Sequence, residues 1–195
     1  FLATLVLENE GRADAMVAGY AHDAEWMIAS SIEPPLHGRD AIRAQWQALR
    51  TGFPDRRTAA RRILAWGDRV IAQLVVHGTH QGTFAGVAPT QAKIAYESLV
   101  VTTMKEGRIQ RAIFHVDQGV VLAQLAPASS DSKPAGPAWP GKPAVVRVEP
   151  VVLPNGTIEA LYAALSSGIH SELERFVATD VVVHDRSTGK DLRGL

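Results

Sequence analysis

The chain has 195 residues, of which 46% are hydrophobic, so it can bury a sizeable core and we expect a soluble globular protein. Its 20 Lys and Arg residues balance its 20 Asp and Glu residues, which argues against binding to nucleic acids or anionic membranes. Cysteine is absent, which suits a reducing cytoplasm, and no apolar run reaches the roughly 20 residues of a membrane span.

Three helices are predicted at the start of the chain. Apolar residues recur at helical spacing through residues 1–23, and Gly11 interrupts them, which predicts two short helices. Residues 40–51 predict a third helix, in which Ile42 and Trp46 share one apolar face. These apolar faces require a partner layer that covers them.

After residue 57 the apolar period changes to two, which indicates strands. Tight turns are predicted at Gly67-Asp68 and Glu106-Gly107. Around these turns the sequence predicts four strands, at residues 63–64, 70–80, 94–103 and 109–116. Because the helices precede an antiparallel meander, the expected fold class is α+β.

The remainder of the chain predicts a linker and a repeat. Residues 126–143 are rich in Pro, Ala, Ser and Gly, a composition typical of linkers. Residues 178–194 then repeat the pattern of residues 21–38. We therefore predict a complete domain at residues 1–125 and the start of a second, truncated copy at residues 144–195, in a protein that continues beyond this sequence.

Five short motifs occur in a characteristic order, at residues 38–43 (GRDAIR), 67–70 (GDRV), 78–82 (GTHQG), 89–90 (PT) and 106–109 (EGRI). Through them the chain resembles the SnoaL-like polyketide cyclase and ester cyclase family of the nuclear transport factor 2-like superfamily. The resemblance implies a cone-shaped, curved antiparallel or mixed sheet packed on about three helices, also called a cystatin-like roll. It further implies a pocket for a small, largely apolar or aromatic molecule.

The acid and base of the polyketide cyclases are missing from their expected positions. The resemblance implies an acidic residue on the last strand and a His on the preceding strand. Alignment on the EGRI motif places these positions at Phe114 and Val100, which are apolar, and a companion polar position at Ser98.

A second family position differs between the two predicted copies. The His-Asp pair that many relatives carry on the first strand falls on Met27-Ile28 in the first copy. In the second copy the same position holds His184-Asp185. One hypothesis is therefore that the second copy of a longer protein carries the catalysis.

His115 and Asp117 form a candidate acid-base pair in the first copy, because residues two apart on a strand share one face. The alternative follows from the family's strand parity. If Phe114 and Val116 face inward, then His115 and Asp117 lie on the opposite, outer face.

Five further side chains are candidates for the pocket. Tyr96 and Ser98 share one parity, and the Tyr96 hydroxyl either orients a polar group of the ligand or is an ordinary core group. Trp26 and Trp46 either wall the pocket or belong to the core. His80, at the start of a long connection, either guards the entrance or is structural.

Two functions compete. In the first, the domain binds or transforms a small apolar or aromatic molecule in a pocket lined by Trp26, Tyr96, Ser98 and Phe114. In the second, Val100 and Phe114 fill the cone, and the domain is a non-catalytic interaction module. We expect a homodimer in the cytoplasm, no organic cofactor and, because the histidines lack ligand spacing, no metal. The volume of the cavity distinguishes the two functions.

Overall fold

The computed structural model describes residues 1–125, 136–147, 156, 159–160, 163, 180, 182–185 and 190–193. They belong to two compact units, Phe1–Glu149 and Pro150–Leu195. Within the described ranges, none of the helices combines the length and the apolar character that crossing a membrane requires. Residues 126–135 of the predicted linker lie outside the described ranges, and residues 136–143 have no regular secondary structure.

The first unit contains four helices in its described residues: α1 (Leu2–Asn9), α2 (Ala13–Ala18), α3 (Gly38–Gly52) and α4 (Gln118–Leu125). The predicted break at Gly11 is confirmed, and this glycine has the positive φ of 74° that side chains disfavour. The expectation of helix as far as residue 23 was wrong. Gly19 ends α2, and Tyr20 begins a strand with its side chain buried.

A single mixed sheet forms the other layer of this unit. Its strands are β1 (Tyr20–Ile28), β2 (Leu36–His37), β3 (Arg57–Trp66), β4 (Arg69–Thr79), β5 (Lys93–Lys105), β6 (Arg108–Val116) and β7 (Ala144–Arg147). The strands are ordered β2-β1-β6-β5-β4-β3-β7, and β1 with β6 and β3 with β7 are the parallel neighbours. The predicted α+β fold with a mixed sheet is thereby confirmed.

The four strands predicted from periodicity are present; three of them are longer than predicted, and β4 has the predicted length but begins one residue earlier. Gly67 turns between β3 and β4, and Glu106 and Gly107 turn between β5 and β6, all with positive φ as tight hairpins require. Irregularities in register occur in β3 between Ala60 and Arg62 and in β5 after Thr103. Such bulges bend strands, and a bent sheet leaves space between itself and the helix layer.

Two side-chain amides attach helices to strand backbones. Asn9, at the end of α1, donates to Thr58 O and accepts from Thr58 N, both at 2.8 Å. Gln124, in α4, accepts from Ala95 N at 2.7 Å and donates to Ala95 O at 2.9 Å. Each amide supplies the pair of hydrogen bonds that a neighbouring strand would otherwise make. The helices α1 and α4 are therefore held firmly at the sheet.

The core of the first unit lies between the helices and the inner face of the sheet. Val17 and Ile42 from the helices pack with Leu74, Val100 and Ile109 from the sheet, and all five are nearly inaccessible to solvent. The apolar face predicted for α3 is thus covered by the strands, which form the partner layer expected from the sequence.

Residues 136–147 extend along the other side of the sheet. His77 contacts the carbonyl oxygen of Pro137 at 2.9 Å through Nε2, and its ring packs edge-on against Trp139. The segment then joins the sheet as β7, the strand beside β3. Residues 144–147, the start of the predicted second copy, therefore belong to the sheet of the first unit.

The described part of the second unit contains a two-stranded sheet, formed by β8 (Val182–Asp185) and β9 (Lys190–Arg193). The two strands are antiparallel, with Val182 opposite Arg193 and Asp185 opposite Lys190.

Candidate functional site

A cavity of about 490 Å³ lies between the helices and the sheet of the first unit. Most of its wall is apolar and comes from α2, α3 and α4, from β1 and β6, and from the connection after β4. The apolar lining residues are Met16, Trp26, Ile28, Ile42, Trp46, Leu49, Phe84, Ala85, Phe114, Val116, Val121 and Leu122. A volume of this size is typical of sites for small organic molecules.

A buried charged pair interrupts this apolar wall. Arg56 donates through Nη1 to Glu8 Oε1, and the two side chains are only 12% and 16% exposed. Thr58 donates its hydroxyl to the same oxygen at 3.0 Å. Neither hydrogen bond uses Glu8 Oε2. One carboxylate oxygen is therefore anchored, while the other belongs to a side chain that lines the cavity.

Tyr96 completes the polar cluster, by which we mean Glu8, Arg56 and Tyr96. It lies on β5, lines the cavity, and makes a side-chain interaction with the Arg56 guanidinium. Tyr20 also lines the cavity and lies near enough to Glu8 for their charges to interact. The cluster therefore brings an acid, a cation and a phenol together in an otherwise apolar chamber.

The backbone fixes Arg56 tightly. After α3 ends, Arg56 N donates to Phe53 O at 3.0 Å, and Arg50 donates to Arg56 O at 3.1 Å. A methyl group at Gly78 would meet Arg56 Cα at 3.4 Å, so β4 passes close beside it. Glu8 comes from the last turn of α1, which Asn9 clamps to β3. Both charged groups are thus held by rigid elements, as a binding or catalytic site requires.

Electrostatics maintain the charge on Arg56. Burial by itself favours the neutral form, but the charge of Glu8 and the interaction with Tyr96 outweigh it, so the pKa of Arg56 is raised above its usual value. Burial, with a smaller effect from Glu8, raises the pKa of Tyr20. Arg56 is therefore a permanent cation, and Tyr20 stays a neutral phenol at physiological pH.

Two donors that belong to lining residues lack acceptors. Trp46 Nε1 and Arg56 Nε are buried and have no hydrogen-bond partner among the described residues. The Trp46 ring is nevertheless well fixed, because it lies within the core and the Arg50 guanidinium sits 5.4 Å from its centroid. Buried donors without acceptors are rare in proteins.

The aromatic residues predicted for the pocket do line it. Trp26 on β1 and Phe114 on β6 pack with ring centroids 5.1 Å apart, in a tilted arrangement. Tyr96, Ser98 and Trp46 are lining residues as well. These five side chains come from four different elements and meet at one cavity.

Val100 and His80, two other predicted ligand contacts, are not among the described residues that line the cavity. Val100 is completely buried in the core. His80 is also completely buried, and its Nδ1 accepts a hydrogen bond from Thr90 N at 3.2 Å. Its backbone pairs with Gln91 and Ala92 across the same connection. These contacts indicate a structural role for His80, at the start of the long connection after β4.

His115 and Asp117 lie outside the cavity. His115 is exposed on β6, where it faces Leu99 of β5, also exposed, on the outer side of the sheet. Asp117 is exposed and accepts a hydrogen bond from Val120 N at 3.1 Å, which makes it the N-terminal cap of α4. Because side chains alternate along a strand, the parity that puts Phe114 and Val116 in the cavity wall places His115 and Asp117 outside the cavity. Their placement gives no support to an acid-base role in this cavity.

His184 and Asp185 belong to β8 of the second unit, where they lie opposite Asp191 and Lys190. Across the part of the chain that the structure describes, no three side chains of the metal-ligating types come together.

Sequence reasoning missed Glu8 and Arg56. Each is an unremarkable charged residue in the sequence, one in a short helix and one in the loop after α3. Only the fold brings them together with Tyr96. The signal that could have pointed to Glu8 is its helical spacing from the apolar Leu5, which places a carboxylate on the buried face of α1.

Comparison with known proteins identifies the same family as the sequence motifs. The sequence model of the SnoaL-like polyketide cyclase family matches residues 2–125. No curated protein sequence matches the chain. IdmH, a candidate polyketide cyclase from Streptomyces antibioticus, is similar in structure, with 28% identity, a TM-score of 0.55, and coverage of 64% of this chain and 94% of IdmH.

Two further solved structures have the same fold. A candidate polyketide cyclase from Xanthomonas campestris pv. campestris is 25% identical, with a TM-score of 0.55 and coverage of 64% of this chain and 93% of its own. A candidate SnoaL-like polyketide cyclase from Jannaschia sp. CCS1 is 18% identical, with a TM-score of 0.58 and coverage of 64% and 90%. At 18% identity, this last likeness shows the fold alone.

Proposed function

Because the chain belongs to the SnoaL-like polyketide cyclase family, we propose that its first unit binds a small, largely apolar or aromatic molecule and transforms it by proton transfer at the polar cluster. The observation that carries this proposal is the Glu8–Arg56 pair in the wall of an apolar cavity. The pair takes the place of the missing His and acid at Val100 and Phe114.

The size of the cavity favours binding over the rival function. A non-catalytic module with a filled cone requires Val100 and Phe114 to occupy the space. Val100 instead packs into the core, and Phe114 stacks against Trp26 at the edge of a void of about 490 Å³. That void exceeds the volume of a two-ring aromatic molecule, and flat aromatic side chains form part of its wall.

Glu8 is the proton acceptor in this proposal. Its Oε1 is held by Arg56 and Thr58, which leaves Oε2 to meet the ligand. For a ketone, the proton on the carbon beside the carbonyl moves to Oε2. The C–H electron pair then forms a C=C bond, and the carbonyl π pair moves to oxygen, which gives an enolate. Return of the proton from Glu8 to carbon or oxygen completes a turnover without a cofactor.

Hydrogen-deuterium exchange of a simple ketone tests this chemistry without knowledge of the natural substrate. 1-Tetralone in D₂O exchanges its C2 protons slowly by itself, and loss of their ¹H NMR signal measures catalysis. We expect the protein to accelerate the exchange and Glu8→Gln to reduce the acceleration by about 100-fold or more. Exchange that is not accelerated, or that is equally fast with Glu8→Gln, contradicts the proposed role.

The matched control is Glu97→Gln. Glu97 is also a carboxylate paired with an arginine, Arg61, but it faces the outer side of the sheet and hydrogen bonds with Gln73 at 2.9 Å. The control variant should keep the wild-type exchange rate. A parallel loss in both variants would trace the effect to stability rather than to chemistry.

We also propose that the second unit begins another copy of the domain. In the sequence repeat, Val182 and Arg193 correspond to Glu25 and His37. Glu25 pairs with His37 between β1 and β2, and Val182 pairs with Arg193 between β8 and β9. The same antiparallel register at corresponding positions supports the repeat. It puts His184-Asp185 on the first strand of the second copy, and turnover that is unchanged in His184→Ala would contradict catalysis by that copy.

The outer face of the sheet is the surface that we propose for a cytoplasmic homodimer. Leu99 is 39% exposed there, beside His115. Leu99→Glu places a charge on this face and should convert a dimer to a monomer in analytical ultracentrifugation. A monomeric wild-type protein contradicts the dimer and leaves the cavity proposal unaffected.

A further inference from the structure

Four prolines recur at every third residue between the two predicted copies, at Pro134, Pro137, Pro140 and Pro143. Three residues per turn is the repeat of the polyproline II helix, an extended conformation whose backbone makes no internal hydrogen bonds. Within this stretch the structure describes residues 136–143, which contain no helix or strand. We call these eight residues the strap.

Solvent exposure follows the same period of three along the strap. Pro137, Pro140 and Pro143 are partly buried, whereas the other five residues are exposed. Because every third residue of a polyproline II helix falls on the same side, the strap turns one face, formed by its prolines, towards the protein. None of its eight residues is fully buried, so the strap is a shallow surface segment and not a part of the core.

The outer face of the sheet is covered near the strap. Leu74 packs into the inner core, so its neighbour Val75 points to the outer face, where it lies opposite Glu97 of β5. Val75 is nevertheless completely inaccessible to solvent. The ion pair between Glu97 and Arg61 lies on the same face. An outward-pointing valine without access to solvent indicates that this part of the face is a packed surface.

Two consecutive carbonyl groups of the strap accept hydrogen bonds from this face. His77 donates through Nε2 to Pro137 O at 2.9 Å, and Arg61 donates through Nη2 to Ala138 O at 3.3 Å. The His77 ring also packs edge-on against Trp139, with 5.1 Å between the ring centroids. An aromatic surface that binds a preformed polyproline II segment is a general mode of peptide recognition.

A close contact at Gly136 fits the strap to the sheet. A methyl group at this position would lie 2.2 Å from Ala95 Cβ and 2.7 Å from Ala95 O. Ala95 is itself held in place, because Gln124 hydrogen bonds with both its backbone N and its backbone O. A methyl group at Gly141, in the same strap, would meet nothing within 4 Å. Addition of a side chain at position 136 should therefore displace the strap, whereas addition at position 141 should not.

We propose that this outer face is a binding site for proline-rich segments with a three-residue spacing, which the chain's own strap fills and which the strap of a second copy can fill in its place. A shallow segment buries little apolar surface, so it can undock while the sheet stays folded. β7 follows the strap and pairs with β3, which keeps a released strap close to the site. The site and the cavity lie on opposite faces of the sheet, so this inference is independent of the proposed function.

A peptide with the sequence of residues 136–143 represents the strap of a second copy. Calorimetric titration measures its Kd for the whole wild-type chain, for Gly136→Ala and for the matched control Gly141→Ala. The clash with Ala95 in Gly136→Ala frees the site while every residue of the site stays unchanged. A second peptide, in which alanine replaces all three prolines, tests whether the prolines are recognised.

We expect the peptide to bind Gly136→Ala most tightly. A tethered strap competes at an effective concentration of about 1 mM, so for a peptide with a Kd of about 100 µM the wild type and Gly141→Ala should bind about tenfold more weakly. His77→Ala, added to Gly136→Ala, should weaken binding about fivefold, the value of one hydrogen bond. The alanine peptide should bind more weakly than the proline peptide to every variant.

The wild-type chain provides a second readout that needs no variant to fold. When the chain is labelled with ¹⁵N and titrated with unlabelled peptide at millimolar concentration, the indole N–H signal of Trp139 should move, because the peptide displaces the strap from His77. The signal of Trp46, which lies in the core, should stay in place.

Equal binding of the peptide to the wild type and to Gly136→Ala overturns the inference, because the peptide then binds elsewhere. Equal binding of the two peptides also overturns it, because the prolines are then not recognised. Absence of binding to Gly136→Ala, or an unmoved Trp139 signal in the wild type, shows that the strap is a fixed part of the fold and contradicts an exchangeable site. None of these results affects the cavity or the role of Glu8.

Discussion

Removal of the Arg56 charge should destabilise the first unit severely. Arg56→Met keeps most of the side-chain volume and leaves the Glu8 carboxylate with the Thr58 hydroxyl as a donor at 3.0 Å. Loss of one partner from a buried ion pair costs about 3–5 kcal/mol. Since the cavity admits water to Glu8, we expect the lower end, about 3 kcal/mol.

Urea unfolding, followed by circular dichroism, measures this loss of stability. The double variant Glu8→Gln/Arg56→Met should lose less than the sum of the two single variants, with a coupling free energy of about 2 kcal/mol. The coupling should not change between about pH 6 and pH 9. The raised pKa of Arg56 means that its contribution is complete below its unfolded value and is lost only in strong alkali.

The comparison variant is Arg61→Met, which breaks the pair with Glu97 on the outer face. Arg61 is 37% exposed, so solvent screens its charge, and Glu97, which is 14% exposed, keeps Gln73 as a donor at 2.9 Å, so the expected loss is about 1 kcal/mol. If Arg56→Met costs no more than Arg61→Met, then Glu8 and Arg56 are not a buried pair and the reasoning about the site fails.

Two further predictions concern the scaffold. Gly82→Ala should cost about 3 kcal/mol or more, because the new methyl group would lie 2.1 Å from Thr51 O, whereas Gly141→Ala meets nothing within 4 Å and should change the free energy of unfolding by less than about 0.5 kcal/mol. Asp55 accepts two hydrogen bonds from Thr79, and these outweigh burial and lower the pKa of Asp55, so its contribution is present above its unfolded pKa and lost as the pH falls. The difference in Tm between wild type and Asp55→Asn should therefore be constant above about pH 5 and shrink towards pH 3; a difference that grows on acidification contradicts this account.

Local patterns were sufficient to predict most of the fold. The change from helical to alternating periodicity predicted α1 to α3 and the four strands β3 to β6, but not α4, and Gly67 and Gly107 marked the turns. These signals act over a few residues, so they can be read without the tertiary structure. The alternative reading of β6, in which Phe114 and Val116 face inward, came from the family resemblance, and alternation of side chains along the strand then placed His115 on the outer face.

Non-local pairings could not be predicted in this way. Tyr20 begins a strand because β6, far along the chain, pairs with it at Ile109. The strand at residues 144–147 exists beside β3 for the same reason. Such contacts depend on where the chain returns in space, which cannot be predicted from the neighbouring residues alone.

The candidate site is the strongest example of this limit. Glu8, Arg56 and Tyr96 lie on a helix, a loop and a strand, and nothing in their spacing indicates that they meet. The residues singled out by spacing alone, His115 and Asp117, lie outside the cavity, where Asp117 caps α4. Chemistry within a cavity is decided by tertiary packing, which spacing along one strand does not report.

The most direct test of the cavity follows the indole N–H signals of the four tryptophans during titration with 1-tetralone. Trp26 and Trp46 line the cavity, whereas Trp66 and Trp139 do not. Binding in the cavity predicts that the signals of Trp26 and Trp46 shift in a saturable way while those of Trp66 and Trp139 stay in place. Four unchanged signals, or shifts confined to Trp66 and Trp139, would contradict the central claim that this unit is a pocket for a small aromatic molecule.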